Sequence, residues 1–436
     1  MGPVAITDGA LTTGEGCSSI STDNGELQFY TDGRFVFDKN HNQMPAGNGL
    51  LGHPSSTQSA IIVPKPWSTT QYYIFTTDSY DNGLESGLCY SRVDMTLNGG
   101  LGDVVTSEKN ISLLPYACEK VSAVSHSDGV SYWVVTHHWG TNAFYAYIVT
   151  SSGVNASPVI SHTGPALTGD MQASKGYLKI SPDGSKIAMA NNTAFSVVIC
   201  NFDKSTGIVS HLVTDTDYTN PGGGDPGGPY GIEFSPGSQL LYVSEWKTNR
   251  KITQYDLSSG LPDVILNSRV IVGTVEQNSD PIGALQLSPD NKIYIARQSS
   301  SYISRINQPE IQGTGCGFED HAFELAGRSS TYGLPSFVQS IFLNIGIFDQ
   351  EEANESGIVI YPNPAEDFLY FQIEPSTCLF HADINIYDLN GKEVLNFKLN
   401  SNKANLDLTK LNPGICLIRI KYNDGIMTRK IVVVHK

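Results

Sequence analysis

Charge is scarce in this chain. Only 16% of its 436 residues are Asp, Glu, Lys or Arg, against roughly 25% in an ordinary soluble domain, which argues against coiled coils and long amphipathic helices. Bases are scarcer still: 27 against 43 acids leave a net charge of -16, so a nucleic-acid or other phosphate-binding surface is excluded. No apolar run approaches the roughly 20 residues that span a bilayer as a helix. There is no C-x-x-C, and the seven cysteines (17, 89, 118, 200, 316, 378 and 416) have no histidines clustered nearby, which removes zinc and thioredoxin-like chemistry. They read as small buried apolar residues, with a Cys17–Cys316 bridge between the first and last repeats as the sharper alternative. What the chain has in quantity is 42 Gly, 22 Pro, 21 Tyr and 17 Phe, the makings of a turn-rich all-β protein.

One phrase recurs. Gly176-Tyr-Leu-Lys-Ile-Ser-Pro-Asp-Gly-Ser-Lys-Ile-Ala-Met-Ala190 is repeated by Tyr230-Gly-Ile-Glu-Phe-Ser-Pro-Gly-Ser-Gln-Leu-Leu-Tyr-Val-Ser244 and by Gly283-Ala-Leu-Gln-Leu-Ser-Pro-Asp-Asn-Lys-Ile-Tyr-Ile-Ala296. Val121–Val135 is a looser copy, so the second turn residue falls at 127, 182, 236 and 289, a period of 53 to 55. Degenerate copies begin at Cys17 and Ser59, and Tyr332-Gly-Leu-Pro-Ser-Phe-Val-Gln-Ser340 restarts the phrase after the last clear one. Each unit alternates apolar residues into a Ser-Pro-Asp-Gly turn, where Pro presets φ and Gly or Asn accepts a positive φ. Further strands follow with no helix signal between them. Three or four strands every 50-odd residues describe the blades of a β-propeller, which must stack around an axis to bury their faces. A β-helix would have a much shorter period.

The wording of the repeat resembles the TolB-like, WD40-like propeller repeat. Residues 10–342 as a whole resemble the seven-bladed propellers of Bacteroidetes surface proteins, through Gly47–Pro64 and Tyr332–Val338 in particular. The resemblance implies seven blades, or six complete ones plus a partial seventh, because the chain begins too late to supply much of a closing N-terminal strand.

The last eighty residues are a different object. Residues 344–357 lose the repeat and carry four acids without a base, which reads as a solvated linker between a propeller at 1–343 and a domain at 358–436. That domain alternates strand patterns with Asn-Gly and Asn-Pro-Gly turns, as a small antiparallel β-sandwich does. Its phrases are Tyr361-Pro362-Asn363-Pro364, then Asp388-Leu-Asn390-Gly391-Lys392, then Pro413-Gly414, then a basic apolar tail containing Lys430. This order resembles the C-terminal sorting domain of the type IX secretion system, although Cys416 stands where the family has an aromatic. The resemblance implies export from the periplasm to the outer-membrane surface or beyond, with the translocon and its sorting peptidase as partners. Such cargo needs a signal peptide, and none is visible, so a trimmed N-terminus is expected.

Motifs of chemistry are few. Gly47-x-Gly49-x-x-Gly52 matches a dinucleotide fingerprint but has no helix after it, and no G-x-S-x-G, H-E-x-x-H or Walker loop occurs. Asp215-x-Asp217 opens like a calcium loop whose twelfth position is Pro226 instead of Glu; calcium is the one cofactor left open, with no metal ligands assigned. Ser21–Gly25 resembles the Asp-box turn of sialidase propellers, a structural feature there. In propellers the loops joining second to third strands, and those joining blades, meet at the channel mouth. Here these contain Asp78 and Tyr80; His137, His138 and Trp139; Glu245, Trp246 and Arg250; Arg297; and, between blades, Asp170 and Tyr230. Aromatic rings beside Asp, Glu and Arg suit a surface glycan or protein ligand. His137 and His138, adjacent on a strand, face opposite ways and do not make a metal pair. No spacing forces carboxylates to converge, so binding is favoured over catalysis; an exported propeller lactonase, lyase or glycan hydrolase is the alternative.

Overall fold

Among the described residues a sheet follows each of the first six copies of the repeat. The computed structural model describes residues 3–22, 25–218, 227–246, 250–276 and 280–342, with 358–361, 365, 368–373, 382–388, 392–399, 403–422 and 425–433 near the C-terminus. The chain divides into two compact units, Met1–Gly346 and Ile347–Lys436.

In the first unit six antiparallel sheets follow one another along the chain, at 18–38, 60–114, 122–162, 178–215, 229–274 and 282–324. The recurring phrase is the hairpin that starts each sheet. In the fourth, Leu178 pairs with Met189 and Ile180 with Ile187. The Asp183 carboxylate accepts the Ser185 N–H (2.9 Å) and the Ser181 hydroxyl (2.6 Å), pinning the turn. The residue two places after each turn Pro (or its equivalent) takes a left-handed φ: Gly129 at 72°, Gly184 at 73°, Ser238 at 63° and Asn291 at 58°. Glycine carries no steric penalty there, and Asn a small one.

Successive sheets meet around an axis through their first strands, the residues just ahead of them and, in the fifth, the second strand. Ile62 N–H donates to Ser18 Oγ, Gln58 Nε2 to Val121 O, Ile180 N–H to Ser122 Oγ, and Ser244 Oγ to Gly283 O. Tyr177 N–H donates to Tyr230 O, linking the fourth sheet to the fifth. The circle closes through 332–342: Ala284 N–H donates to Tyr332 O, Tyr332 N–H to Gly14 O, and Ser336 N–H to Cys17 O. This is a β-propeller. The segment that would open a seventh blade forms isolated parallel bridges, Cys17 to Pro335 and Ala123 to Val338, and no sheet of its own among the described residues. Val338 packs with Ile61 and Val121, while Phe342 packs with Leu240 and Ile306.

Polar side chains are buried near the axis. Lys179 Nζ of the fourth sheet donates to Glu233 Oε2 of the fifth (2.9 Å) and to Gln286 Oε1 of the sixth (2.6 Å), all three side chains buried. They hold the same position in three copies of the phrase.

Two expectations are corrected. A short helix, Pro262–Asn267, interrupts the fifth sheet, with Pro at its start and Ile265 buried beneath it; so brief a helix leaves little periodicity to read. Cys17 and Cys316 are both free thiols. Cys17 lies at the ring closure beside Pro335, whereas Cys316 is buried with Tyr242 and Ile306 ahead of the last strand of the sixth sheet.

Among the described residues of the second unit there are two antiparallel sheets. One orders Ile358–Tyr361, Phe368–Ile373 and Lys403–Asp407; the other orders Glu393–Leu399, Ala382–Tyr387, Gly414–Tyr422 and Gly425–Val433. Leu369, Phe371 and Leu406 from the first share a core with Ile384, Ile386, Cys416, Ile418 and Ile420 from the second, a β-sandwich. Cys416 therefore takes an inward position. Tyr361 pairs with Tyr370, Asp388 Oδ1 accepts the Lys392 N–H, Pro413-Gly414 leads into a long strand, and Lys430 lies in the last one. Pro362, Asn363, Pro364, Asn390 and Gly391 fall outside the described residues.

Candidate functional site

The residues just ahead of each sheet's first strand, its lead-in, gather at one mouth of the ring with the loops between second and third strands. Glu119, in the lead-in of the third sheet, is fully buried. Its Oε2 accepts the Thr57 N–H and hydroxyl (both 3.0 Å), and its Oε1 accepts the Ser79 hydroxyl (3.0 Å) and the Tyr80 N–H (2.8 Å). Burial still raises its proton affinity above the ordinary carboxylate value. Glu15, ahead of the first sheet and 6% exposed, accepts a short hydrogen bond from the Tyr230 hydroxyl. Burial, then the nearby Glu119 charge, push the Glu15 carboxyl up to about 8.

Two lysines from these lead-ins face the same region with different coordination. Lys120 Nζ donates to the carbonyls of Lys175, Gly176 and Ala190, at 2.6, 2.9 and 2.7 Å. Burial pushes it down to about 7, but three carbonyls can only be filled by three N–H groups, which the ammonium form supplies. It staples the third sheet to the fourth. Lys175 instead extends among aromatic rings: its Nζ lies 4.8 Å from the centre of Trp246 and 5.0 Å from that of Tyr80. Tyr230 stacks on Trp246 (5.2 Å), Tyr332 meets Trp246 edge-on (5.1 Å), and Tyr177 meets Tyr230 edge-on (5.7 Å). Burial lowers the Lys175 ammonium below its ordinary value, opposed by Glu119, Glu15, Asp81 and Asp170.

Of the residues singled out from sequence, Tyr80, Tyr230 and Trp246 are brought together here. The others are engaged elsewhere. Asp78 accepts from Ser79 N–H, Ser86 N–H and Asn82 Nδ2, bracing its loop. His137 is buried against Phe144 and Cys118, and burial drops it to about 3. His138 points elsewhere, to Tyr145, and Trp139 packs beside Leu167 and Ala173. Glu245 is buried and accepts from Thr253 Oγ1. Arg297 is wholly buried, bonding the Asp280 carbonyl and Ser304 and pairing with Asp320. Asp170 caps the turn Met171–Ser174, and Arg250 donates to the Glu276 carbonyl. Asp215 is engaged by the Tyr255 hydroxyl (2.7 Å) and Arg269. No group of three metal-ligating side chains occurs among the described residues, and residues 219–226 of the calcium-like stretch lie outside them.

Glu15, Glu119, Lys120, Lys175 and Tyr332 were missed as site residues. The readable signal was position: each stands in or directly ahead of a copy of the repeat.

Residues 359–434 match the family model described as the secretion system C-terminal sorting domain. That domain directs the chain to type IX secretion, hence out of the cell or onto its surface. No helix among the described residues is long and apolar enough to cross a membrane. No curated protein matches the chain. Solved structures similar in fold include a Bacteroides fragilis protein provisionally named 6-phosphogluconolactonase, 13% identical with a TM-score of 0.41, the match covering 92% of this chain and 100% of that one. The periplasmic gluconolactonase of Pseudomonas aeruginosa is 13% identical at a TM-score of 0.40, over 84% and 97%. A Lactobacillus plantarum protein is 14% identical at 0.39, over 90% and 98%.

Proposed function

We propose that the propeller is a binding module displayed outside the cell, and that its ligand, a surface glycan or protein, docks at the ring mouth on Tyr80, Trp246 and Tyr332. The observation that supports this is the gathering of aromatic rings, one ammonium and two carboxyls from the lead-ins and loops of separate sheets. Tyr80 and Tyr332 are half-buried, and Trp246 is buried with Lys175 over its face, so a ligand that displaces the Lys175 side chain meets stacking rings and directional polar contacts in one place. The residues that would have served a metal-dependent enzyme, His137 and Asp78, are taken up by their own sheets.

A glycan and peptide array probed with the full chain tests the proposal. Binding should weaken at least tenfold in Trp246→Ala, about 1.4 kcal/mol, and survive chelation. Binding indifferent to Trp246→Ala and Tyr80→Ala would refute it. One observation favours the enzymatic reading: Glu15, held protonated near neutrality, has the property of a general acid. Turnover of a lactone or glycan that is lost in Glu15→Gln would establish that reading instead.

A further inference from the structure

We infer that the ring mouth is a cation-accepting cage filled by the protein's own Lys175, and that its ligand carries a primary ammonium group which takes that place. The inference rests on the mouth being a binding site and names the chemistry it selects.

Three buried lysines near the axis make the comparison. Lys120 gives its three N–H groups to three carbonyls. Lys179 pairs with Glu233 and Gln286. Among the described residues Lys175 makes one side-chain hydrogen bond, to Gln172 Oε1 at 3.2 Å, though it is only 4% exposed. Its remaining stabilisation comes from the faces of Trp246 and Tyr80 and from carboxyl groups that do not pair with it directly. Aromatic faces attract an ammonium strongly when it is desolvated.

The cage also stands without its occupant. The Glu119 oxygens are held by Thr57, Ser79 and Tyr80, Glu15 by Tyr230, and Trp246 by its contacts with Tyr230 and Tyr332. The Lys175 backbone is fixed independently, its carbonyl accepting from Lys120 Nζ and Asn192 N–H. Only the side chain must swing out, giving up one hydrogen bond and the two ring faces that the incoming ammonium then takes. An incoming ammonium replaces charge with like charge in the cage, whereas an anion would meet Glu119 at close range. The chain's net charge of -16 also draws cations toward it.

The test uses the full chain with n-butylammonium, and with 1-butanol and butyrate as neutral and anionic matches, followed by calorimetry. Lys175→Ala should bind butylammonium at least tenfold more tightly than the unaltered protein, and Trp246→Ala in that background should lose the gain. A blocked tripeptide with a central lysine, compared with its norleucine twin, separates a lysyl side chain from a free amine as the source. If Lys175→Ala gains no amine binding, or binds butanol equally well, the inference falls. A measurement on the unaltered protein does not depend on that variant folding: the Lys175 ε-methylene resonance, shifted by the Trp246 and Tyr80 rings it lies over, should move to its solvent-exposed position as butylammonium saturates, and an unmoved resonance overturns the inference. An amine-free glycan that binds through Trp246 would leave the proposed binding function standing and sink the ammonium assignment.

Discussion

Glu15→Gln should flatten the pH dependence of the propeller's stability between about pH 5 and 8. In the folded ring Glu15 keeps its proton up to about 8, against an ordinary value of 4.5. Between those values the folded protein binds more protons than the unfolded chain, so stability falls as pH rises. The contribution is whole below the unfolded value and is lost as pH climbs through the folded one. Each unit of difference is about 1.36 kcal/mol. Because Glu119 is also pushed upward by burial, the two carboxyls titrate as a pair, and the swing is on the order of 2–5 kcal/mol across the interval. Gln keeps an oxygen for the Tyr230 hydroxyl and cannot ionise, so it imitates the protonated acid.

All four tryptophans, at 67, 133, 139 and 246, lie in the propeller, so their fluorescence reports this unit in the full chain. Denaturant midpoints should therefore decline from pH 5 to 8 in the unaltered protein and much less in Glu15→Gln, with the two curves furthest apart above pH 8. Parallel curves would refute both the burial argument and the role of Glu15 at the ring closure. The location makes the result informative: Glu15 N–H donates to Pro54 O, while the neighbouring Gly14 and Cys17 carbonyls hold Tyr332 and Ser336. A charge forced onto Glu15 acts on the seam that shuts the ring.

Lys179→Met should cost about 3–5 kcal/mol by leaving Glu233 buried without its cation, and Glu233→Gln in the same chain should recover most of it; an equal loss in the double variant would contradict that account. Gly184→Ala should destabilise by about 1–2 kcal/mol, because its φ is 73° and a Cβ would stand 3.0 Å from Lys204 Cδ. Cys17 and Cys316 should both take a maleimide after unfolding without reductant, read by peptide mass; protection of the two together would restore the disulfide. Ile386→Ala, in the core of the terminal sandwich, should unfold that unit by about 2–5 kcal/mol and lower the exported fraction, while the tryptophan-reported transition stays in place.

The ring was legible because its determinants are local. Pro182, Asp183 and Gly184 fix a turn within four residues, Leu178 and Ile180 fix which face is buried, and the same logic restarts about every 54 residues. Ser238 shows the limit of such local reading, since it takes the glycine conformation with a side chain that instead receives the Asp183 N–H of the neighbouring sheet. The site was legible in place but not in membership. Tyr80, Tyr230 and Trp246 are legible because aromatic residues in those loops are conspicuous, whereas Asp78 and Arg297, conspicuous by charge, brace their own sheets. Glu15, Glu119 and Lys175 are not legible for a physical reason: charged residues ordinarily stay at the surface, and these three are buried by partners far along the chain, as Ser79 is 40 residues from Glu119 and Tyr230 215 from Glu15. Glu15, Glu119-Lys120 and Lys175 stand directly ahead of their copies of the phrase, and Tyr332 opens its own. Strands that must pair alike around an axis are held to one pattern, which leaves the residues at their approaches free to carry a site.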